Sequence, residues 1–199
     1  MTDRLIRLLR GGAGILAVIL TVAYPFAVWA ALRQGALLPA LGVLAGAVIC
    51  RILSGGMRGA GERLTAGAGI LMLILASCCQ VPEVLLLYPA AVSFGFLLVF
   101  GLSLRSTPAV ERIASLRISP EERTPFFRRY CRTVTEIWCV FLFLNGTAAA
   151  VLAALSRDLW MIYTGSVSYV LMGLLFGAEY LVRIRLRSRL RDRSGGSGS

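Results

Sequence analysis

The chain has 199 residues, of which 57% are hydrophobic and only 16% charged, and its mean hydropathy is +0.77. These values exclude an ordinary soluble domain, in which about a quarter of the residues are charged. The net charge of +11 does not indicate nucleic-acid binding, because the basic residues interrupt apolar segments and do not form a patch on a soluble domain.

Six apolar segments follow one another along the chain, each close to the ~20 residues that cross a ~30 Å hydrocarbon core. We predict an all-α integral membrane bundle with one domain, residues 1–194. Its six transmembrane helices are predicted at residues 11–32, 35–53, 64–81, 84–104, 133–154 and 159–182. The first segment is too long for a signal peptide and is followed at once by another span. Residues 195–199, GGSGS, are interpreted as a flexible linker.

The basic residues are all arginines, and all but two of the 21 fall on one side of this arrangement. Arg33 and Arg157 are the two that fall on the other side. The positive-inside rule therefore places both termini in the cytoplasm and predicts a multi-pass membrane protein. In this arrangement Arg51, Arg58 and Arg63 follow the second span, at its cytoplasmic boundary.

Two pairs of glycines have the small-xxx-small spacing that lets membrane helices approach closely. They are Gly42 with Gly46 in the second span, and Gly173 with Gly177 in the sixth. We interpret both pairs as packing within the bundle, in preference to a dimer interface. A homo-oligomer stays open as the alternative.

The longest loop, residues 105–132, has a helical pattern of its own. Val110, Ile113 and Leu116 recur at helical spacing with Glu111 on the other side, which predicts a short helix in the membrane interface. A plain ordered connector is the alternative. A second helix of this loop is predicted to begin at a capping box formed by Ser119, Pro120 and Glu122.

The chain lacks the residues of ordinary catalysis and metal binding. It has no histidine and no lysine, and its five cysteines have no CxxC spacing. No GxSxG, phosphate-binding or HExxH motif occurs. We therefore predict no enzyme activity, no cofactor and no metal.

Ionisable residues inside membrane spans are candidate functional sites. Glu136 and Glu179 are two such residues, and each has an arginine four residues away, Arg132 and Arg183 respectively. That spacing permits ion pairs, so one interpretation is purely structural. In the other, both carboxylates face one cavity open to the cytoplasm and bind a cationic or hydroxylated ligand.

Helical geometry limits which polar residues combine. Asn145 and Glu136 fall on opposite faces of the fifth span, whereas Ser168 and Glu179 share one face of the sixth. That face of the sixth span is the best candidate lining for a pocket or pathway. Tyr169 and Asn145 would add polar groups deeper in the membrane.

The second half of the chain resembles a known group of proteins. Its segments LYPAAVSFGFLLVF, RRYCRTVTEIWCVFLFLNG and YTGSVSYVLMGLLFGAEYLVR are similar to a family of small bacterial membrane proteins. Members of that family are encoded beside acyl carrier proteins and ketosynthases in clusters for aryl polyene pigments. More distantly, residues 84–183 resemble the intracellular septation protein A family. The resemblance implies an inner-membrane partner of cytoplasmic acyl-chain synthesis and transfers no catalytic motif.

Three functions are therefore open. The first is an accessory protein of acyl-chain, polyene or envelope lipid biosynthesis, which docks an acidic acyl carrier protein, other cluster enzymes or acyl intermediates at an arginine-rich cytoplasmic face. The candidate docking residues, which would also bind anionic lipid headgroups, are Arg112, Arg117, Arg123, Arg128, Arg129, Arg185, Arg187 and Arg189. The second is a carrier or flippase for a lipid-like product, with a cavity between spans five and six. An integral-membrane enzyme is disfavoured, and topology alone also explains most of the arginines.

Overall fold

The computed structural model of the protein describes residues 2–35, 37–54, 60–79, 82–115 and 124–195. These residues form helices and short turns, and no strand occurs among them. The elements are α1 (Thr2–Gln34), α2 (Leu37–Leu53), α3 (Ala60–Cys79), a 3-10 helix (Pro82–Leu87), α4 (Tyr88–Ser103), α5 (Ala109–Ala114), α6 (Pro125–Leu155), α7 (Arg157–Ile162), a π-helical turn (Tyr163–Val167) and α8 (Ser168–Gly195). The prediction of an all-α protein is confirmed for this part of the chain.

Four helical segments are long and apolar enough to cross a membrane. They are Gly12–Gln34, Glu83–Ser103, Pro125–Leu155 and Arg157–Val182. The last of them combines α7, the π-helical turn and the first half of α8. Two further apolar helices, Leu38–Leu53 and Arg63–Cys78, correspond to the second and third predicted spans but are shorter. The fold is therefore that of a helical membrane protein.

The start of α6 lies earlier in the chain than the predicted span. Thr124 caps the helix, since its hydroxyl oxygen accepts the Phe127 backbone N–H at 3.2 Å, and Pro125 occupies the first helical position. The predicted capping box lies in residues 116–123, outside the described residues. At its other end, α8 continues as a helix to Gly195, well beyond the predicted span end.

Large apolar side chains cover much of the outer surface of the bundle. Many large apolar side chains are more than half exposed, among them Ile15, Leu38, Leu144 and Leu174. In water such a surface would aggregate, whereas in a bilayer it faces acyl chains.

The buried core of the bundle is correspondingly small. One cluster, around Tyr24 and Trp160, joins α1 to α2, α3, α4 and α7. The other, around Trp138, joins α5, α6 and α8.

Three of the four glycines predicted to pack against neighbouring helices have no such contact. A Cβ atom built on Gly42, Gly173 or Gly177 would meet no atom within 4 Å, apart from the helix's own turns. Only Gly46 approaches another helix, where a Cβ atom would lie 3.4 Å from the Leu20 side chain of α1. The prediction of close packing is therefore wrong for the pair in α8, because that stripe faces away from α6.

Candidate functional site

Asn145 is the centre of a buried polar cluster in the middle of the bundle. Its Nδ2 donates to Ser93 Oγ on α4 at 3.0 Å. Its Oδ1 accepts from Ser168 Oγ on α8 at 2.7 Å and from the Tyr163 hydroxyl at 3.1 Å. Hydrogen bonds between membrane helices hold their register, because an unsatisfied polar group in hydrocarbon is costly. One amide therefore joins α4 and α6 to the last span.

The π-helical turn positions the hydroxyl groups of Tyr163 and Ser168, which both donate to Asn145 Oδ1. Residues five apart, such as Tyr163 and Ser168, diverge by about 140° on a regular α-helix. In a π-helical turn, residue i bonds to residue i+5, and here the Ser168 N–H donates to the Tyr163 carbonyl. Both hydroxyls consequently reach the same Asn145 oxygen. No pattern in the sequence signals this turn.

Arg51 forms the centre of a second polar cluster. Its Nη1 donates to Thr65 Oγ1 on α3 at 3.0 Å, and its Nη2 donates to Thr21 Oγ1 on α1 at 3.3 Å. The Thr21 carbonyl in turn accepts the Tyr169 hydroxyl of α8 at 3.3 Å. Four helices therefore meet around one arginine of α2.

Arg51 lies near the end of α2, and its side chain extends along α1. Ser54, which directly follows α2, lies beside Gly14 of α1, 3.9 Å from a Cβ atom built there. The Arg51 guanidinium reaches Thr21, about 10 Å further along α1. Its position at a membrane boundary stays a prediction.

Together the two clusters form what we call the polar layer. They are continuous because Ser168 and Tyr169, which contact different clusters, are neighbours at the start of α8. The members of the polar layer are Thr21, Arg51, Thr65, Ser93, Asn145, Tyr163, Ser168 and Tyr169. The sequence analysis identified Asn145, Ser168 and Tyr169 as polar groups within the spans. It missed the role of Arg51, because an arginine at the end of an apolar segment is ordinarily explained by the positive-inside rule.

Glu136 lies on the opposite surface of α6 from Asn145. Arg132 Nε donates to Glu136 Oε1 at 3.1 Å, and both side chains are about half exposed. Glu136 lies at one end of an open, apolar groove of about 430 Å³ along the outer side of α6. The groove is lined by Thr133, Glu136, Ile137, Val140, Phe141 and Leu144. This carboxylate therefore faces outward from the bundle, and the polar layer lies on the other side of its helix.

The face of α8 predicted to line a pathway packs against α6. Ser168 bonds to Asn145, Met172 packs into the apolar cluster around Trp138, and the Phe176 ring centroid lies 4.6 Å from that of Trp138. Near the end of this face, the Glu179 carbonyl accepts the Tyr130 hydroxyl at 3.5 Å. Ser168, Met172 and Phe176 therefore contact α6, although Phe176 is still 56% exposed. The side chain of Arg183 lies outside them.

The end of the bundle that carries Arg33 and Arg157 has its charges paired, and we call it the paired end. Asp158 accepts from Trp29 Nε1 at 2.6 Å and from Arg33 Nη2 at 2.9 and 3.0 Å. The Arg33 guanidinium also lies over the Trp29 ring, 4.3 Å from its centroid. Arg157 Nη2 donates to Glu83 at 2.7 Å. Each arginine predicted on this side consequently has a carboxylate partner.

Glu111 lies at the opposite end of the bundle, and its position corrects the prediction that it lies opposite the apolar face of α5. Its side chain is only 8% exposed, and Oε1 accepts from Arg128 Nε at 3.1 Å. This burial follows from the docking of α5 onto α6, in which the Val110 N–H donates to Thr135 Oγ1 at 3.4 Å. Val110, on the predicted apolar face, is buried against α6, whereas Ile113 of the same face is 62% exposed.

This end retains unpaired positive charge, and we call it the arginine-rich end. Arg105, Arg112 and Arg129 are exposed and have no carboxylate partner among the described residues. Of the remaining predicted docking residues, Arg117 and Arg123 lie outside the described residues. The side chains of Arg185, Arg187 and Arg189 also lie outside them, although the backbone there is helical.

The fold and the polar layer define a helical membrane protein with a hydrogen-bonded polar interior. The described residues contain no cluster of three potential metal ligands. Comparison with protein families, with curated proteins and with solved structures finds no match to this chain. The function must therefore be argued from the geometry alone.

Proposed function

We propose that the chain is a six-span protein of the bacterial inner membrane with both termini in the cytoplasm. The apolar parts of α2 and α3, Leu38–Leu53 and Arg63–Cys78, come close to the lower end of the range of about 17–25 residues found for membrane spans. Six spans place the paired end outside the cell and the arginine-rich end in the cytoplasm, as the positive-inside rule requires.

We further propose that the protein is an accessory component of acyl-chain, polyene or envelope lipid biosynthesis, which docks acidic cytoplasmic partners. One observation supports this function: the two ends of the bundle differ in how their arginines are paired. Both arginines of the paired end, Arg33 and Arg157, bond to carboxylates, whereas Arg105, Arg112 and Arg129 have none within the described ranges. Topology requires arginines at this end, but it does not require that they remain unpaired.

The structure around α5 supports a preorganised docking surface. The backbone N–H of Ala109 donates to Ser103 Oγ at 2.8 Å, and the Glu111–Arg128 pair joins α5 to the start of α6. Arg112 therefore projects from a short helix that is anchored on both sides. A rigid surface loses less entropy on binding than a flexible loop does, and unpaired surface cations accelerate association with acidic partners.

An acidic carrier protein is the partner class that fits this surface best. The resemblance of the second half of the chain to proteins of aryl polyene gene clusters favours an acyl carrier protein, and the positive surface supplies the complementary charge. Anionic lipid headgroups would bind to the same arginines, at about 1 kcal/mol per residue near the surface. Lipid binding would compete with protein docking, so the two must be separated experimentally.

Binding to a purified acyl carrier protein tests this proposal. The full chain is placed in nanodiscs of phosphatidylcholine, which has no net charge, and the dissociation constant is measured at two salt concentrations. The double variant Arg112→Gln/Arg129→Gln is expected to bind about tenfold more weakly and with less salt dependence. The matched control Arg33→Gln/Arg157→Gln removes the same charge at the paired end and should bind like the wild type. Equal affinities for the two variants would refute docking at this surface.

A carrier or flippase for a lipid-like product is the second candidate, and the polar layer is the observation that favours it. Transport would require the seam between α6 and α8 to open, since Trp138 and Phe176 close it at 4.6 Å. Proteoliposomes with a fluorescent phospholipid in one leaflet would measure this activity. Transfer between leaflets that is lost in an Asn145→Leu variant would support the carrier, and transfer no faster than in protein-free liposomes would eliminate it for phospholipids.

A further inference from the structure

We propose that Arg51, positioned by Thr21 and Thr65, forms a binding site for an oxyanion, phosphate or carboxylate, inside the helix bundle. This site lies between α1, α2 and α3, away from the docking surface, and it does not depend on the proposed docking function. It is assigned from hydrogen-bonding capacity and charge.

The guanidinium has more donors than the protein uses. A guanidinium carries five N–H groups in a planar fork, and the two hydrogen bonds to Thr65 and Thr21 use two of them. The Nε–H of Arg51 donates to no group in the described part of the chain. No buried side-chain nitrogen or oxygen there lacks a partner. The unused Nε of this partly buried side chain is therefore accessible, and it can bind a ligand together with a terminal nitrogen.

Arg51 takes part in none of the four ion pairs between side chains that the structure describes. Glu83, Glu111, Glu136 and Asp158 each form an ion pair with an arginine other than Arg51. Arginine retains its charge under all ordinary conditions, so the guanidinium remains a cation within the bundle. The low dielectric of a membrane protein interior strengthens its attraction to an anion. Because a bidentate oxyanion matches both the charge and the fork, it is the ligand class that this geometry selects.

The two threonines hold the guanidinium in place. The Thr21 hydroxyl donates its proton to the Ala17 carbonyl at 2.7 Å, which leaves its oxygen lone pairs facing Arg51. Thr65 is 5% exposed and accepts from the other terminal nitrogen at 3.0 Å. We therefore assign Thr21 and Thr65 as positioning residues.

The ligand could be a free anion or the acidic head of an acyl-linked molecule. Thr21, which binds the guanidinium, lies nine residues, about 13 Å, along α1 from Gly12, where the apolar part of α1 begins. The acidic head of an acyl-linked molecule would have to leave the interface and enter between the helices to reach it. Inorganic phosphate would have to enter from water. These two sources share one chemistry and are distinguished by the choice of probe.

The test measures thermal stabilisation of the full chain, purified in a neutral detergent, against increasing concentrations of phosphatidic acid, oleate or inorganic phosphate. The wild type is expected to show saturable stabilisation by at least one probe, because a ligand that binds the folded state raises its stability. Stabilisation by phosphate alone assigns a free anion. Stabilisation by the acyl-linked probes alone assigns a lipid or fatty acid.

Two variants, each of which removes one positive charge, show where the probe binds. Arg51→Gln should weaken the affinity about 10- to 100-fold, since a charge-assisted bidentate contact is lost. Arg105→Gln removes an exposed, unpaired arginine at the arginine-rich end and should change the affinity less than about twofold. Equal affinities in the two variants, or no stabilisation of the wild type by any probe, would overturn the proposal.

A third variant covers the case in which Arg51→Gln does not fold. Arg51→Lys keeps the charge but replaces the planar fork with a single ammonium group. It should bind the effective probe about tenfold more weakly than the wild type. Wild-type affinity in Arg51→Lys would show that the fork does not hold the ligand.

Discussion

The Ser168 hydroxyl of α8 donates to Asn145 Oδ1 of α6 at 2.7 Å, in the interior of a bundle whose outer surface carries many large apolar side chains. This bond depends on the π-helical turn just before Ser168, which brings Tyr163 to the same oxygen. The last span is thereby held to α6 by polar contacts in its first half and by the Trp138–Phe176 ring contact in its second.

Replacement of Asn145 by leucine is expected to lower the stability of the folded protein. Leucine has a similar size but leaves the hydroxyls of Ser93, Tyr163 and Ser168 without this partner, which costs about 1–3 kcal/mol in total. Thermal unfolding in detergent, followed by tryptophan fluorescence, measures the effect. Thr147→Val is the matched control, since the Thr147 hydroxyl bonds only within α6, to the Phe143 carbonyl. Equal losses in both variants would remove the structural role that we assign to Asn145.

Substitution of Glu111 by glutamine should loosen α5 without unfolding the bundle. The variant loses a buried carboxylate that accepts from Arg128, so local opening of α5 becomes easier. Amide hydrogen exchange within residues 109–115 is expected to accelerate about tenfold, which corresponds to about 1.4 kcal/mol. Glu136→Gln breaks an exposed pair and should change exchange along α6 only slightly. Unchanged exchange in α5 would mean that apolar docking alone anchors it.

Gly165 and Gly173 should respond to alanine in opposite ways. A Cβ atom on Gly165 would lie 2.8 Å from the Phe26 ring, so Gly165→Ala overpacks the contact between α1 and the π-helical turn and should cost about 1–3 kcal/mol. A Cβ atom on Gly173 would meet nothing within 4 Å, and alanine there should stabilise α8 by about 0.5–1 kcal/mol. Thermal unfolding of both variants measures these two changes in stability.

Gly173→Ala also tests whether the protein forms a homo-oligomer, the alternative that the sequence analysis left open. A monomer would tolerate the substitution, because the position faces lipid. A loss of stability in Gly173→Ala, together with a smaller particle in light scattering, would instead show that this stripe of α8 contacts a second copy of the chain.

The number of spans can be tested by labelling single cysteines with a membrane-impermeant thiol reagent in intact cells. In a background without the five native cysteines, Gly56→Cys between α2 and α3 should resist labelling until the cells are opened. Ser156→Cys, between α6 and α7, should label in intact cells under any arrangement that places the paired end outside. If α2 and α3 do not cross the membrane, Gly56→Cys also labels in intact cells, and the six-span topology fails.

Much of the fold could be predicted from residues close together in the sequence. Hydrophobic runs set the helical segments, and the i,i+4 spacing of Arg132 and Glu136 allows the ion pair that the structure contains. The opposite orientations of Glu136 and Asn145 on α6 follow from helical periodicity alone. These features are local, because hydropathy and periodicity depend on neighbours along the chain.

The apolar helices and the arginines that flank them can be assigned from the sequence, since each depends on a short stretch of chain. Which polar groups meet follows instead from the packing of distant segments. Arg51 contacts Thr21 from 30 residues away, and Asn145 contacts Ser93 from 52 residues away. The burial of Glu111 and the contact between Trp138 and Phe176 likewise depend on which helices pack together. A polar side chain satisfies its hydrogen bonds with whatever the neighbouring helix offers, and that neighbour lies far away in the sequence.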